Sequence, residues 1–209
     1  MLLRSLACGL LLLPVTLGGC GSEGDGDGEQ QSASSGGGVC ESQILGDAAK
    51  DIEMVVTTCG ADIVSSDLAP GARVPMIRPP QAGKVVLIGV RATNLDLCAA
   101  QLSAAVRDTT TNQVRLDART INLLPTGDGW GTSTDGDMST FANVPLCPNQ
   151  WASTAVDEEP FELVVELTDN TGRVAKATVP IIPFCSEPEN AAECECECQQ
   201  DYMLGQVCE

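Results

Sequence analysis

The residues best equipped for chemistry lie near the C-terminus, in "ECECEC", Glu193 to Cys198. Three cysteines alternate with three glutamates, and Cys185 and Cys208 flank them. Two chemistries fit these types: thiolate coordination of a soft cation, or a hub of disulfides. In an extended segment successive side chains point to opposite faces, so Cys194 and Cys198 would face one way and Cys196 the other. That suits bonds to different partners better than one tetrahedral zinc, although the glutamates favour a cation electrostatically. The expectation is a disulfide hub, with no metal and no cofactor. A second candidate is the loop "LLPTGDGWGTSTDGDMST", residues 123–140. Asp128, Asp135 and Asp137 carry the oxygen ligands that calcium takes, and Trp130 sits between glycines, which favours its exposure. The aspartate spacing does not match an EF-hand loop. The competing reading is a Gly/Asp/Ser/Thr-rich connection whose tryptophan folds back as a lid. Loops on a rigid scaffold carry binding function, so this is the candidate ligand loop.

Other chemistries are poorly provided for. The chain has no histidine. This removes the commonest general base, the Ser-His and Cys-His nucleophile systems and histidine metal sites. No nucleophile elbow, phosphate-binding loop or dinucleotide fingerprint occurs. Asp157-Glu158-Glu159 is the densest acid run in the body, but it precedes Pro160 and a strand, where a solvated loop is the simpler reading. Aromatics make up only 3% of the chain, which is little platform for sugars. The formal charge is −18, and the bases after Arg4 all lie between Lys50 and Lys176. Phosphate binding needs a basic surface, so nucleic acid is not an expected partner. The composition reads as a binding or structural protein, not an enzyme.

The N-terminal "MLLRSLACGLLLLPVTLGGC" supplies an address. One base, Arg4, precedes an apolar run from Leu6 to Leu17. The run is too short for a spanning helix, which needs about 20 apolar residues, and it ends in small residues, as a secretory signal peptide does. Leu17-Gly18-Gly19-Cys20 resembles the bacterial lipobox. The resemblance covers residues 1–20 and implies cleavage after residue 19 and acylation of Cys20, with palmitate-like chains, so that a lipid bilayer is the first partner. Two or more chains hold a protein stably, at about 0.8 kcal/mol per buried CH2. Gly21 and Ser22 follow, without the aspartate that retains some lipoproteins at the inner membrane, so the outer membrane of the cell envelope is expected. Residues 20–39 contain seven Gly, four Ser and four acids. They read as a flexible tether with a reach of about 25 Å. "DGDGE" within it reads as solvated acid, not a calcium loop.

These sites need a scaffold, and apolar residues in the body follow period two. Phe161, Leu163, Val165 and Leu167 alternate against Glu162, Glu166 and Thr168. Asp169-Asn170-Thr171-Gly172 is turn chemistry, and Ala175, Ala177, Val179 and Ile181 return. "LSAAVRDTTTNQVRLDART" reads as a second hairpin, "KVVLIGVRAT" (84–93) as a central strand, and "IEMVVT" (52–57) and "FANVPL" (141–146) as further strands. "SQILGDAAKDIEM" admits a short helix capped by Ser42, weakened by Gly46. Trp151 reads as a core plug. About seven strands predict an all-β fold, an antiparallel β-sandwich. The order of segment lengths over about 50–185 resembles immunoglobulin-like domains, without their Cys…Trp…Cys pattern. The organisation is then signal 1–19, tether 20–39, sandwich 40–184 and a small disulfide-rich, acidic appendage 185–209.

With Cys8 in the signal and Cys20 acylated, nine of the eleven cysteines remain, an odd number that leaves one unpaired. Cys98 and Cys147, both at strand ends, are expected to pair, and Cys59 with Cys185 is a further possibility. "CECQQDYMLGQVC" (196–208) resembles the C-terminal half of an EGF-like module through Cys196, Cys198, Tyr202, Gly205 and Cys208. That resemblance implies a Cys198–Cys208 bond. Cys194 and Cys196 would reach back, one to Cys185 and the other to Cys40 or Cys59. A lipobox, a sandwich and a short Cys-rich end together look like uncharacterised lipoproteins of myxobacterial type. The expected function is an anchored binding or interaction module for a protein or envelope ligand of unknown identity. The alternative is a structural or accessory envelope protein without a specific ligand.

Overall fold

The computed structural model describes residues 40–208. The signal segment, Cys20 and the tether lie outside the described residues.

Along the chain, β1 (Ile44–Leu45), β2 (Glu53–Cys59), β3 (Ser65–Asp67) and β4 (Ala72–Ile77) lead to the ten-residue β5 (Lys84–Thr93). Then follow β6 (Leu95–Asp96), β7 (Ala100–Arg107), β8 (Val114–Ile121), β9 (Leu124–Pro125), β10 (Trp130–Thr132), β11 (Ala142–Cys147), β12 (Phe161–Thr168) and β13 (Val174–Cys185), and α1 (Ala191–Glu197) closes the sequence. The segment at Ser42 is not a helix. Its hydroxyl donates to Asp96, and β1 pairs with β6.

Alternation forms these strands. Every second residue of β12 and β7 is buried, so Leu163, Val165 and Leu167 and Leu102, Ala104 and Val106 point inward together. β5 is buried on both faces, which explains its unbroken apolar run. One of its edges carries β2 and then β4, and the other carries β10 and then β11. Pairing continues from β4 through β13, β12 and β7 to β8, so most strands belong to one curled sheet of eleven. The β4–β13 pairing is parallel, unlike the antiparallel pattern expected throughout. β4 can take it because Ala72–Met76 lies along β13 while its end, Met76 and Ile77, bonds to β5. It thereby hands the sheet over from one half to the other.

The curl closes on a core that joins Val86, Ile88, Val90 and Ala92 of β5 to Leu102, Leu163, Val165, Leu167 and Ile181. Trp151 plugs its edge. The ring lies 5.4 Å from Phe161, and the indole N–H donates to the Leu146 carbonyl at 2.9 Å. The outer face of β5 has a smaller core of its own, formed by Cys59, Ile77, Val85, Leu87 and Phe141. Gly89 permits it: a Cβ there would stand 2.7 Å from the Phe141 ring.

Candidate functional site

β5 sets the long axis. Its last residues lead to Asp96 and Cys98, and its first residue, Lys84, lies opposite Cys147 on β11. Ten residues at about 3.3 Å each place these two ends about 30 Å apart. This is why Cys98 and Cys147 do not pair. Cys98 bonds Cys40 at the entry end, and Cys147 bonds Cys198 at the tail end. Cys185 bonds Cys194, and Cys196 bonds Cys208.

The pairing of the hub follows from a helix. "ECECEC" is not extended; Glu193–Glu197 lies in α1, entered through a short 3-10 turn at Pro188–Asn190. Residues four apart share a helical face, so Cys194 and Cys198 turn toward the body, where both are buried. Cys196 is left to close the tail loop on Cys208, displacing the Cys198–Cys208 bond implied by the EGF-like pattern. The same spacing brings Glu193 and Glu197 to Lys84. The lysine is 1% exposed, and its ammonium lies 3.6 Å and 3.7 Å from the two carboxylates, too far for a close hydrogen bond. Arg78 donates to Glu193 at 2.7 Å. The glutamates of the motif thus serve an internal ammonium. The Sγ atoms of Cys185, Cys194 and Cys198 all lie within 4.8 Å of one another, so two disulfides abut in one buried cluster, with Met76 Sδ 4.0 Å from Cys198 Sγ.

Cys59 is the free cysteine among the described residues, and it does not pair with Cys185. It sits 2% exposed beneath the outer core of β5, whereas Cys185 is taken by Cys194. Burial, with the nearby charges of Asp62 and Asp135, pushes the Cys59 thiol up to about 12, so the reactive thiolate is suppressed.

The loop at 123–140 does not gather its aspartates. Asp128 accepts from the Thr126 hydroxyl at 2.6 Å and the Trp130 amide at 3.1 Å. Asp135 accepts from the Ser65 hydroxyl and amide at 2.7 and 2.9 Å. Asp137 caps a 3-10 turn through the Ser139 amide. The Thr126 hydroxyl lowers the Asp128 carboxyl, and the Ser65 hydroxyl lowers Asp135. Each carboxylate thus builds its own turn, and they form no converging ligand set among the described residues. Trp130 is half-buried on β10, paired with Thr93, and the Arg91 guanidinium lies 4.9 Å from its ring centroid. Arg91 also holds Asp67 at 3.0 Å. The tryptophan is therefore fixed against the sheet with one flank accessible.

The entry end is held mainly by polar bonds. Asp96 accepts from the Ser42 hydroxyl, the Cys98 amide and Asn170, and the first of these contributes most to lowering its carboxyl. Arg173 bonds the buried Asp169 and three backbone carbonyls, those of Ala48, Lys50 and Asn94. The acid run of 157–159 is structural too: Asp157 accepts from the Cys185 amide, and Glu158 pairs with Arg73. Sequence reasoning missed Lys84 and Arg173. A single lysine opening an apolar strand, and two glutamates four apart, were the available signals for the first.

No family model, curated protein or solved structure matches the chain. Among the described residues no helix is long and apolar enough to cross a membrane.

Proposed function

We propose that this protein is a lipid-anchored envelope protein, acylated at Cys20, that presents an immunoglobulin-like β-sandwich as a binding or interaction module. The observation that carries the reading is "LGGC" after a short apolar run and before a Gly/Ser-rich acidic stretch. Four disulfides support it, since such bonds form and persist in oxidising compartments outside the cytoplasm. The Cys40–Cys98 bond supports it as well: a pull on an anchored tether would arrive at Cys40 and pass directly into the sheet. The sandwich reading rests on a core shared between the inner faces of β5 and of the β7–β12 pair. The ligand surface is the flank of Trp130 with Arg91 and the loop around it. Outer-membrane residence follows from Gly21 and Ser22 after Cys20.

Palmitate labelling and membrane fractionation test the anchor. Wild type is expected to label and sediment with membranes, and Cys20→Ser to do neither; equal retention of both would overturn the proposal. A pull-down from solubilised envelope with wild type and Trp130→Ala tests the module. Loss of a captured partner in the variant supports binding at this loop, and capture of nothing by either favours the structural or accessory role.

A further inference from the structure

The buried sulfur cluster at the tail end is more than a brace. Three sulfurs, those of Cys185, Cys194 and Cys198, stand within 4.8 Å of one another, and Cys147 is bonded to the last. Cys147, Cys194 and Cys198 are each less than 5% exposed. The fourth sulfur, that of Cys147 on β11, joins the cluster through Cys198 at the C-terminal cap of α1 and stands outside the 4.8 Å group. In a tetrahedral tetrathiolate site each sulfur lies about 2.3 Å from the metal, so sulfurs are about 3.8 Å apart. Cys198 already approaches this spacing to Cys185 and Cys194, and the Cys147 sulfur would have to swing in toward them. Within each bridge the sulfurs would have to part by less than about 2 Å, a side-chain rotation and not a refolding.

We propose that this cluster is a convertible site: two disulfides when oxidised, and a tetrathiolate site for one soft divalent cation, zinc or cadmium, when reduced. Cys147, Cys185, Cys194 and Cys198 are its ligands. A dithiol reductant gives two electrons and two protons to each bridge, breaks each S–S bond, and is itself oxidised to a disulfide. The four thiols release four protons as the cation takes four thiolates. The metal complex would carry charge −2, beside a buried Lys84 that lies across the strand pair from Cys147 and already faces Glu193 and Glu197. Oxidation closes the site to cations. The other bridges cannot substitute: Cys40–Cys98 lies at the opposite end, and Cys196–Cys208 faces away from the body.

The test reduces the full chain anaerobically with a phosphine, removes the reductant and adds cadmium. Excess alkylating reagent is then applied, and mass spectrometry identifies the protected cysteines. Protection of Cys147, Cys185, Cys194 and Cys198 at one cadmium per chain is expected, with Cys40, Cys98, Cys196 and Cys208 alkylated. Cobalt titration should give a tetrahedral tetrathiolate spectrum in wild type and in Cys196→Ser/Cys208→Ser, and lose it in Cys185→Ser/Cys194→Ser. Protection of a different set, absence of protection, or binding undiminished in Cys185→Ser/Cys194→Ser would overturn the proposal. The alkylation map needs no variant, so a variant that fails to fold leaves the test intact.

Discussion

The two ends of the molecule solve the same problem by different physics. Each must fasten a segment that the sheet does not hold by itself. At the entry end the segment before β2 is fixed by one disulfide, the short β1–β6 pairing and a fan of polar bonds centred on Asp96, Asp169 and Arg173. At the tail end α1 and the loop after it are fixed by three disulfides and a weakly paired lysine. The first arrangement depends on ionised carboxylates, and the second on oxidised sulfur. Acid and reductant should therefore open opposite ends. A pull on the chain N-terminal to Cys40 would meet the Cys40–Cys98 bond first and the polar network behind it.

The largest expected effect comes from the tail end. Removing Cys147–Cys198 with a double serine substitution opens a loop spanning 51 residues, which costs about 4 kcal/mol in the chain-entropy model. Hydrogen exchange should show α1 loosened, since Cys185–Cys194, the ion pairs of Glu193 and Glu197 to Lys84 and Arg78, and backbone bonds such as Asn149 to Glu197 would be what remains. Removing Cys40–Cys98 opens a comparable span of 58 residues. There, however, β1 should stay protected, because Ser42, Asp96 and Arg173 still hold it. Equal loss of protection at both ends would break the comparison.

Next in size is Arg173→Ala, expected to destabilise by about 3 kcal/mol, the low end for breaking a buried pair. The Asp169 side chain is fully buried, while the guanidinium is 34% exposed. The variant strands the carboxylate and frees three carbonyls at once. The corresponding experiment at the tail end is Glu193→Gln with Glu197→Gln, which leaves the Lys84 ammonium buried without a carboxylate. Roughly 2 kcal/mol is expected, less than for Arg173, because neither glutamate makes a close bond to the lysine and Glu193 retains access to water. Urea denaturation of each variant against wild type measures both.

Lowering the pH separates the ends without mutation. In Asp96 the Ser42 hydroxyl leads in lowering the carboxyl; in Asp169 burial alone would raise it, but bonds from Thr171 and Arg173 outweigh that. A carboxyl whose folded pKa is depressed stabilises the protein above its unfolded value, about 3.9, and that contribution is lost as pH falls through the folded value. Asp108 behaves likewise: burial opposes its ionisation, but bonds from Ser153, Thr110 and Thr111 win, and its carboxyl lies well below the usual range. Below about pH 4 exchange should therefore rise at β1, at the 169–172 turn and at the 108–112 turn, while α1, held by disulfides, stays protected. Opening of α1 at higher pH than β1 would contradict this.

The sequence made the scaffold legible where one force dominates. Burial on both faces gives β5 its unbroken run, and one-sided burial gives β7 and β12 their alternation, so these were readable. β4 was not, because Pro75 interrupts its pattern and proline argues against a sheet interior. The structure uses it where β4 passes between two neighbours. "ECECEC" misled for a specific reason: strict alternation mimics period two, yet positions 193 and 197, and 194 and 198, also coincide on a helix. Two alanines after a proline-led turn decide for the helix. Cysteine pairing is a property of tertiary distance. The strand-end argument for Cys98 and Cys147 failed because it did not ask which end of β5 each one lay at. The aspartates of 123–140 were visible as acids, but their neighbours Thr126, Ser65 and Ser139 determine that they build turns.

The smallest effect concerns Cys59, the cysteine that neither end uses. Its thiol fits among Ile77, Val85, Leu87 and Phe141, so Cys59→Ala should cost only about 1 kcal/mol, a small cavity in a small core. Its titration gives a sharper test. Because the folded thiol is raised to about 12, above the unfolded value of about 8.5, the unfolded chain loses this proton first as pH rises. Its contribution is complete below about pH 8.5 and is lost between there and about 12. Cys59→Ala should therefore flatten the alkaline limb of the stability profile and leave the acid limb unchanged. In native protein at pH 8, alkylation of Cys59 should be no faster than global unfolding. Rapid alkylation without unfolding would mean that the outer face of β5 opens independently, and that the molecule has a third region, weaker than either end.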